Sequence, residues 1–384
     1  MIRITHLITD LEIGGAETML YNLLSHMDRS RFQNSVISMV GNGSLASKIK
    51  ELEIPVDTLG MNFGVVKPAG LFRLVRLLRK QVPAILQTWL YHADFLGLLA
   101  GKLTRLPHIV WNVRCSDMDM QHYSKLSALV VRILAALSSV PEAVVVNSES
   151  GREFHSLLGY RPRSWVLINN GFDLDRFCPN TEARITFRHE LGLSDNAILI
   201  GLVARFDPMK DHATFLEAAH RLLVDNPPVH FVLVGKGIVR ENKELTGVIN
   251  SGHYSDRFHL LGQREDVSRI MVALDIATSS SCWGEGFPNT IGEAMACGVP
   301  CVVTDAGDSA RLVGDTGMVI PVRNPQALAE GWGKMIELGE VGRRHLGIAA
   351  RCRIEEKFSL TAVVRRYEEF YRGCVARVRI RRIS

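Results

Sequence analysis

Short apolar runs alternate with helix-period stretches from one end of the chain to the other. In the first half, the runs at 2–8, 35–40, 84–88, 108–113 and 143–147 read as strands. In the second half, those at 197–203, 229–234, 257–260, 274–278 and 300–304 do. Most are continuously apolar, the pattern of strands covered on both faces. Between them the period changes. In 16–27, Met19, Leu20, Leu23, Leu24 and Met27 fall on one face of a helix. This alternation predicts an α/β protein, with parallel sheets flanked by helices. Turn chemistry interrupts it at 169–182, first Asn169-Asn170-Gly171-Phe172-Asp173, then Cys178-Pro179-Asn180. A chain of 384 residues also exceeds one ordinary core. Two doubly wound domains with a cleft between them are expected, 1–172 and 173–358, followed by a terminal segment 359–384.

Composition narrows the function classes. The chain is 47% hydrophobic and 22% charged, the balance of a soluble globular protein. A net charge of +5 is too small to imply a nucleic-acid partner. The cysteines are scattered, with no C-x-x-C pair, and read as reduced thiols of a cytosolic protein rather than zinc ligands. The N-terminus reads as a first strand and not as a signal peptide. The most apolar region, 126–146, is broken by Arg132, Pro141 and Glu142, so a core helix, a turn and a buried strand are expected there instead of a membrane span.

In doubly wound sheets, ligands bind beyond the carboxyl ends of the strands, and three loops there carry candidate chemistry. After the first strand comes Gly14-Gly15-Ala16-Glu17. Glycines let the backbone approach a ligand, and the next helix offers amides at its positive end. The plainer reading is a strand–helix turn that needs positive φ. After 197–203 come Arg205 and Lys210, two cations able to bind a diphosphate and to stabilise it as a leaving group. The plainer reading is a solvated surface pair.

The third loop is the most informative: Glu285-Gly286-Phe287-Pro288-Asn289-Thr290-Ile291-Gly292-Glu293. Pro288 suits a helix start, and Gly298 before Pro300 suits its stop. Glu285 then lies on the loop, able to reach sugar hydroxyls. Glu293 lies one turn inside the helix, able to accept from a ribose diol, and the amides at 289–291 face a phosphate. Two isolated glutamates would be ordinary surface residues; the loop, cap and stop favour a site.

Weaker features remain. Gly235-Lys236-Gly237 follows 229–234 and either lines the cleft or is a bare turn. Asp117-Met118-Asp119 and Asp173-Leu174-Asp175 have a spacing used for divalent metals, but read as surface carboxylates. His6 and His92 read as structural histidines near strand ends. The basic amphipathic stretch 70–80 and the Arg-rich tail (Arg372, Arg377, Arg379, Arg381, Arg382) can touch an anionic membrane surface.

These residues together resemble the retaining glycosyltransferases of the GT-B fold, family 4 (glycosyl transferases group 1). The resemblance spans nearly the whole chain, strongest in 165–340 and loose in 40–130. It implies two Rossmann-like domains and a C-terminal helix returning to the first. It also implies transfer of a sugar from a nucleoside-diphosphate sugar, UDP-sugar favoured, to a lipid-linked or cell-surface glycan acceptor in polysaccharide or lipopolysaccharide synthesis. Glu285, Arg205, Lys210 and Arg114 would be the catalytic set. Gly15, Gly235, Gly286, Phe287, Pro288, Asn289, Thr290 and Glu293 would bind the donor, and Gly14, Glu17 and His92 the acceptor. No metal or cofactor is expected. A cytoplasmic protein, peripheral on the inner face of the membrane, is implied.

One departure from the family pattern stands out. Arg114 occupies the place of a histidine, so a permanent cation replaces a titratable ring. It can bind a phosphate of acceptor or donor but cannot act as a general base. In the retaining mechanism proposed for the family, the leaving phosphate itself takes the acceptor proton. A nucleotide-sugar epimerase of the same fold, or a non-catalytic nucleotide-sugar-binding subunit, are the alternatives.

Overall fold

A computed structural model describes residues 1–62, 68–114, 116, 125–194, 196–224 and 228–381. The first seven strands are β1 (Ile2–Ile8), β2 (Phe32–Ser38), β3 (Val56–Thr58), β4 (Ile85–Trp89), β5 (His108–Val113), β6 (Ala143–Val146) and β7 (Trp165–Leu167). They form one parallel sheet in the order β3-β2-β1-β4-β5-β6-β7. The next six are β8 (Ile198–Val203), β9 (Val229–Val234), β10 (Phe258–Leu260), β11 (Ile276–Ser279), β12 (Cys301–Thr304) and β13 (Gly317–Ile320). They form a second parallel sheet, β10-β9-β8-β11-β12-β13. In each sheet the order reverses between the first strand and its neighbour, β1/β4 and β8/β11. Those are the switch points where a doubly wound sheet opens a ligand crevice.

All ten expected strands are present; β3, β7 and β13 were not expected. All three are short strands at sheet edges, and none shows a continuously buried run. The chain divides into two compact units, residues 1–171 with 360–384, and residues 172–359.

In the first unit, helix Tyr91–Leu103 lies close against the sheet because Gly97 and Gly101 face it. A Cβ on Gly97 would come 2.3 Å from Thr88 Cγ2, and one on Gly101 2.6 Å from Ile109 Cδ1. The last helix, Leu360–Arg381, belongs to this unit. Val363, Val364, Tyr367 and Tyr371 are buried with Leu20, Leu24, Phe32 and Ile85. The Tyr371 hydroxyl donates to Gln87 of β4. The apolar region 126–146 is helix Lys125–Leu137 and β6, as expected. Among the described residues no helix is long and apolar enough to cross a membrane.

In the second unit, Asp275 ties the amino ends of β8 and β11 together. It accepts from Arg184 at 2.5 Å, from Arg188 at 3.0 Å and from the Leu199 amide at 2.8 Å. Arg188 is itself buried, so its charge has this carboxylate as its compensation. At the opposite, carboxyl ends of the same strands lie Arg205 and Glu285.

Candidate functional site

The second unit assembles its loops around one carboxylate. Pro208–Lys210 is a single 3-10 turn started by Asp207, whose side chain accepts from the Met209 amide. The turn is stitched to the loop after β11. The Cys282 amide donates to Met209 O at 2.9 Å, and Ser280 Oγ to Lys210 O at 2.7 Å. Lys210 Nζ thereby reaches Glu285 and forms a hydrogen-bonded ion pair with Oε1. Ser281 Oγ donates to the same oxygen at 2.8 Å. Glu285 is buried, which by itself raises its pKa. The charge and hydrogen bond of Lys210, with the Ser281 bond, outweigh burial and hold the carboxyl below its usual range. It is therefore an ionised, oriented acceptor at neutral pH. Arg205 is exposed and bonds to Asp207 through Nε at 2.9 Å, its charge adding to the field on Glu285.

Two glycines make room for this arrangement. Gly235, at φ +151°, meets the backbone at the end of β8: a Cβ would lie 2.1 Å from Ala204 O and 2.9 Å from Arg205 N. It thus sets where Arg205 leaves the strand. Gly307, after β12, lies against Glu285 itself, and Asp308 N donates to Gly286 O at 3.0 Å.

Helix Asn289–Ala296 begins where expected, with Pro288 at its cap position. Thr290 and Ile291 are in its first turn, where the i−4 residues lie outside the helix and amides point toward an incoming anion. Glu293 is half-buried, and burial raises its pKa to about 7 against the opposing charge of Arg176. It becomes a charged acceptor only as pH rises through neutrality. The Phe287 side chain does not face a ligand. It is core, stacked on Phe172 at 6.2 Å and against Phe358 at 5.2 Å. Only its backbone is available to a donor.

In the first unit, the Gly14-Gly15 loop is not a positive-φ turn; Gly14 is extended at φ −150°. Its lack of a Cβ serves Glu17, whose Oε2 would lie 2.4 Å from one. Glu17 is buried. Burial and, less strongly, Asp10 raise its pKa to about 7, while a bond from its own backbone amide and the charge of Arg114 oppose them. Arg114, at the end of β5, is half-buried over the Trp89 ring and bonded to Asn112, Asn170 and Tyr367. His92 stands at the start of helix Tyr91–Leu103, its Nε2 buried and without a hydrogen-bond partner. Burial lowers its pKa, so the ring is neutral. Leu90 before it has φ +73° and ψ 159°, a conformation costly for any residue with a side chain. His6 is structural, bonded to Asn34 and Trp89.

The acidic pairs separate. Asp117 and Asp119 lie outside the described residues. Asp173 caps its own turn, accepting from the amides of Asp175 and Arg176 at 3.0 Å each. Among the described residues no group of three or more His, Cys, Asp or Glu is placed to hold a metal ion. Ser281 and Gly307 lie within the stretch 279–307 that carries the family resemblance, and Asn112 lies beside Arg114, but sequence reasoning gave none of them a role; Tyr367 it missed altogether.

Comparison with known proteins identifies the family and the fold. Residues 13–176 match the family described as Glycosyltransferase Family 4, and residues 197–337 match Glycosyl transferases group 1. The UDP-Gal:alpha-D-GlcNAc-diphosphoundecaprenol alpha-1,3-galactosyltransferase of Escherichia coli is 30% identical over 67% of each chain. A Campylobacter jejuni relative, the N-acetylgalactosamine-N,N'-diacetylbacillosaminyl-diphospho-undecaprenol 4-alpha-N-acetylgalactosaminyltransferase, is 24% identical over 86% of this chain and 89% of its own. The crystal structure of Anabaena HepE in complex with UDP-glucose superposes with a TM-score of 0.84, at 23% identity over 97% of this chain and all of that one. With both units matched and the Escherichia coli enzyme 30% identical over two thirds of each chain, this chain belongs to the family 4, group 1 glycosyltransferases and has their GT-B fold.

Proposed function

We infer that this glycosyltransferase is retaining and metal-independent, and that it moves a sugar from a UDP-sugar to a lipid-linked acceptor in surface-glycan synthesis. The observation that carries the reading is the buried, ionised Glu285, held by Lys210 and Ser281 beside the start of helix Asn289–Ala296. A carboxylate so fixed can hold a sugar hydroxyl, while Arg205, Lys210 and the helix end bind the diphosphate and stabilise it as it leaves. Those cations supply the charge that a metal would bring. Glu293 would take the ribose, with Gly15, Gly235, Gly286 and the backbone from Phe287 to Thr290 lining the donor. Gly14, Glu17 and His92 would meet the acceptor. Support for the substrate classes comes from the relatives, two of which are named for diphosphoundecaprenol acceptors, and from HepE, crystallised with UDP-glucose.

In a transfer assay with UDP-sugars and a short-chain lipid-diphosphate acceptor, product is expected in EDTA with the anomeric configuration of the donor. A product of inverted configuration, or activity abolished by EDTA and restored by a divalent ion, would refute the mechanism. Epimerised UDP-sugar formed without acceptor would favour the epimerase.

The reading includes a peripheral site on the cytoplasmic membrane face. Helix Pro68–Gln81 buries Gly70, Leu74 and Leu78 and exposes Phe72, Arg73, Arg76, Arg79 and Lys80 on its outer side. Near an anionic surface each such cation contributes about 1 kcal/mol. Co-sedimentation with phosphatidylglycerol vesicles is expected, weakened by salt and by Arg76→Glu with Arg79→Glu. Binding insensitive to both changes would exclude this helix.

A further inference from the structure

Arg114 is a cation held in place by neutral groups. One terminal nitrogen donates to Asn170 Oδ1; the other lies 3.4 Å from Asn112 Oδ1 and 3.4 Å from the Tyr367 hydroxyl oxygen. Asn112 Nδ2 donates to the same hydroxyl at 3.2 Å. The guanidinium carbon is 5.3 Å from the Trp89 ring centroid. These partners come from the end of β4, from β5, from the turn at Asn170 and from the last helix. They fix the direction of the guanidinium, and none of them brings a negative charge. Among the described residues Glu17 is an acidic group that feels its charge, and burial keeps that carboxyl partly protonated at neutral pH. A half-buried guanidinium that has no full counter-charge among the described residues is unfavourable until an anion arrives. Its planar fork suits phosphate oxygens. It also stands at the carboxyl end of β5, on the side of the sheet where doubly wound units take ligands.

We propose that Arg114 binds a phosphate group of the acceptor, and that Tyr367, Asn112 and Asn170 are positioning residues that aim it. The proposal rests on the reading of this chain as a transferase acting on a phosphate-bearing acceptor. The second unit already carries Arg205, Lys210 and a helix start for the phosphates of the donor, which leaves the cation of the first unit for the other substrate. Through one hydroxyl, the C-terminal helix becomes part of acceptor recognition.

The test titrates farnesyl diphosphate, a soluble lipid diphosphate, into the full chain with UDP saturating. Arg114→Ala is expected to weaken binding at least about tenfold and Arg114→Lys less. Tyr367→Phe, which keeps the buried ring, should weaken it about threefold. Adding it to Arg114→Ala should cost nothing further, because a positioning residue acts through the one it positions. UDP affinity, and the weak binding of uncharged farnesol, should not change. Wild-type affinity in Arg114→Ala, no binding by the wild type, or loss of UDP in place of farnesyl diphosphate would each overturn the proposal. If Arg114-dependent binding is found but no sugar passes to any lipid diphosphate, the transferase reading fails and the anion site stands.

Discussion

Glu285→Ala is expected to lower kcat by roughly 10²–10³-fold, the loss typical of removing one preorganised polar group from a reacting centre. The side chain has two tasks that alanine cannot share. In the proposed reaction its carboxylate holds the donor sugar, while its Oε1 gathers Lys210 and Ser281 into one arrangement. Without it, the Lys210 ammonium loses its partner and its direction, so the diphosphate loses a fixed cation as well. Glu285→Gln separates the two tasks. The amide keeps the shape and one acceptor oxygen but gives up the charge that holds Lys210, so an intermediate loss is expected. Both variants should melt below the wild type, because removing the carboxylate leaves the largely buried Lys210 ammonium without its counter-charge. The check is kcat and donor KM for folded protein, with thermal melts alongside. Glu285→Ala retaining more than about a tenth of wild-type kcat would remove this residue from the catalytic set.

What could be read from the chain, and what could not, follows from the range of the interactions. β1, β5 and β9 were legible to the residue, because their apolar positions dominate despite Arg3, Thr5, His6, His108, Asn112 and His230. β2 begins at Phe32, three residues before the expected start, because Gln33 and Asn34 break the apolar run. β3, β7 and β13 have only a few residues each and depend on a neighbouring strand for their identity. The same distinction holds at the site. Glu285 and Lys210, which the structure pairs, could be singled out because each sits in a loop after an apolar strand. Ser281 was overlooked although it is only four positions from Glu285, since a serine in a loop carries no signal of where its hydroxyl turns. The frame of Arg114 is further from view, with Tyr367 lying 253 positions along the chain. Phe287 shows the converse, since only its backbone remains for a donor. A residue inside a functional motif was assigned to the ligand, while its side chain closes the core beneath the loop.

Gly307→Ala is expected to approach the damage of a change in the carboxylate itself, although it lies in the neighbouring loop. Gly307 has φ +59°, and a Cβ there would sit 1.9 Å from the carbonyl oxygen of Glu285 and 3.0 Å from its Cβ. The first of those atoms is backbone and cannot rotate away. The Asp308 amide also pins the loop to Gly286 O at 3.0 Å. The loop carrying Glu285 must therefore move, by something like an ångström. A displacement of that size at a reacting centre costs on the order of 10²-fold. The left-handed backbone adds roughly 1–2 kcal/mol of instability for any residue with a side chain. Gly298→Ala separates these effects. It has φ +75°, but its nearest neighbour would be 3.6 Å away, so it carries the backbone cost without the collision. Both variants should melt lower than the wild type, and only Gly307→Ala should lose about 10–100-fold in kcat. If the two variants lose activity equally, or Gly307→Ala keeps the wild-type kcat, the loop after β12 does not hold Glu285 in its working position.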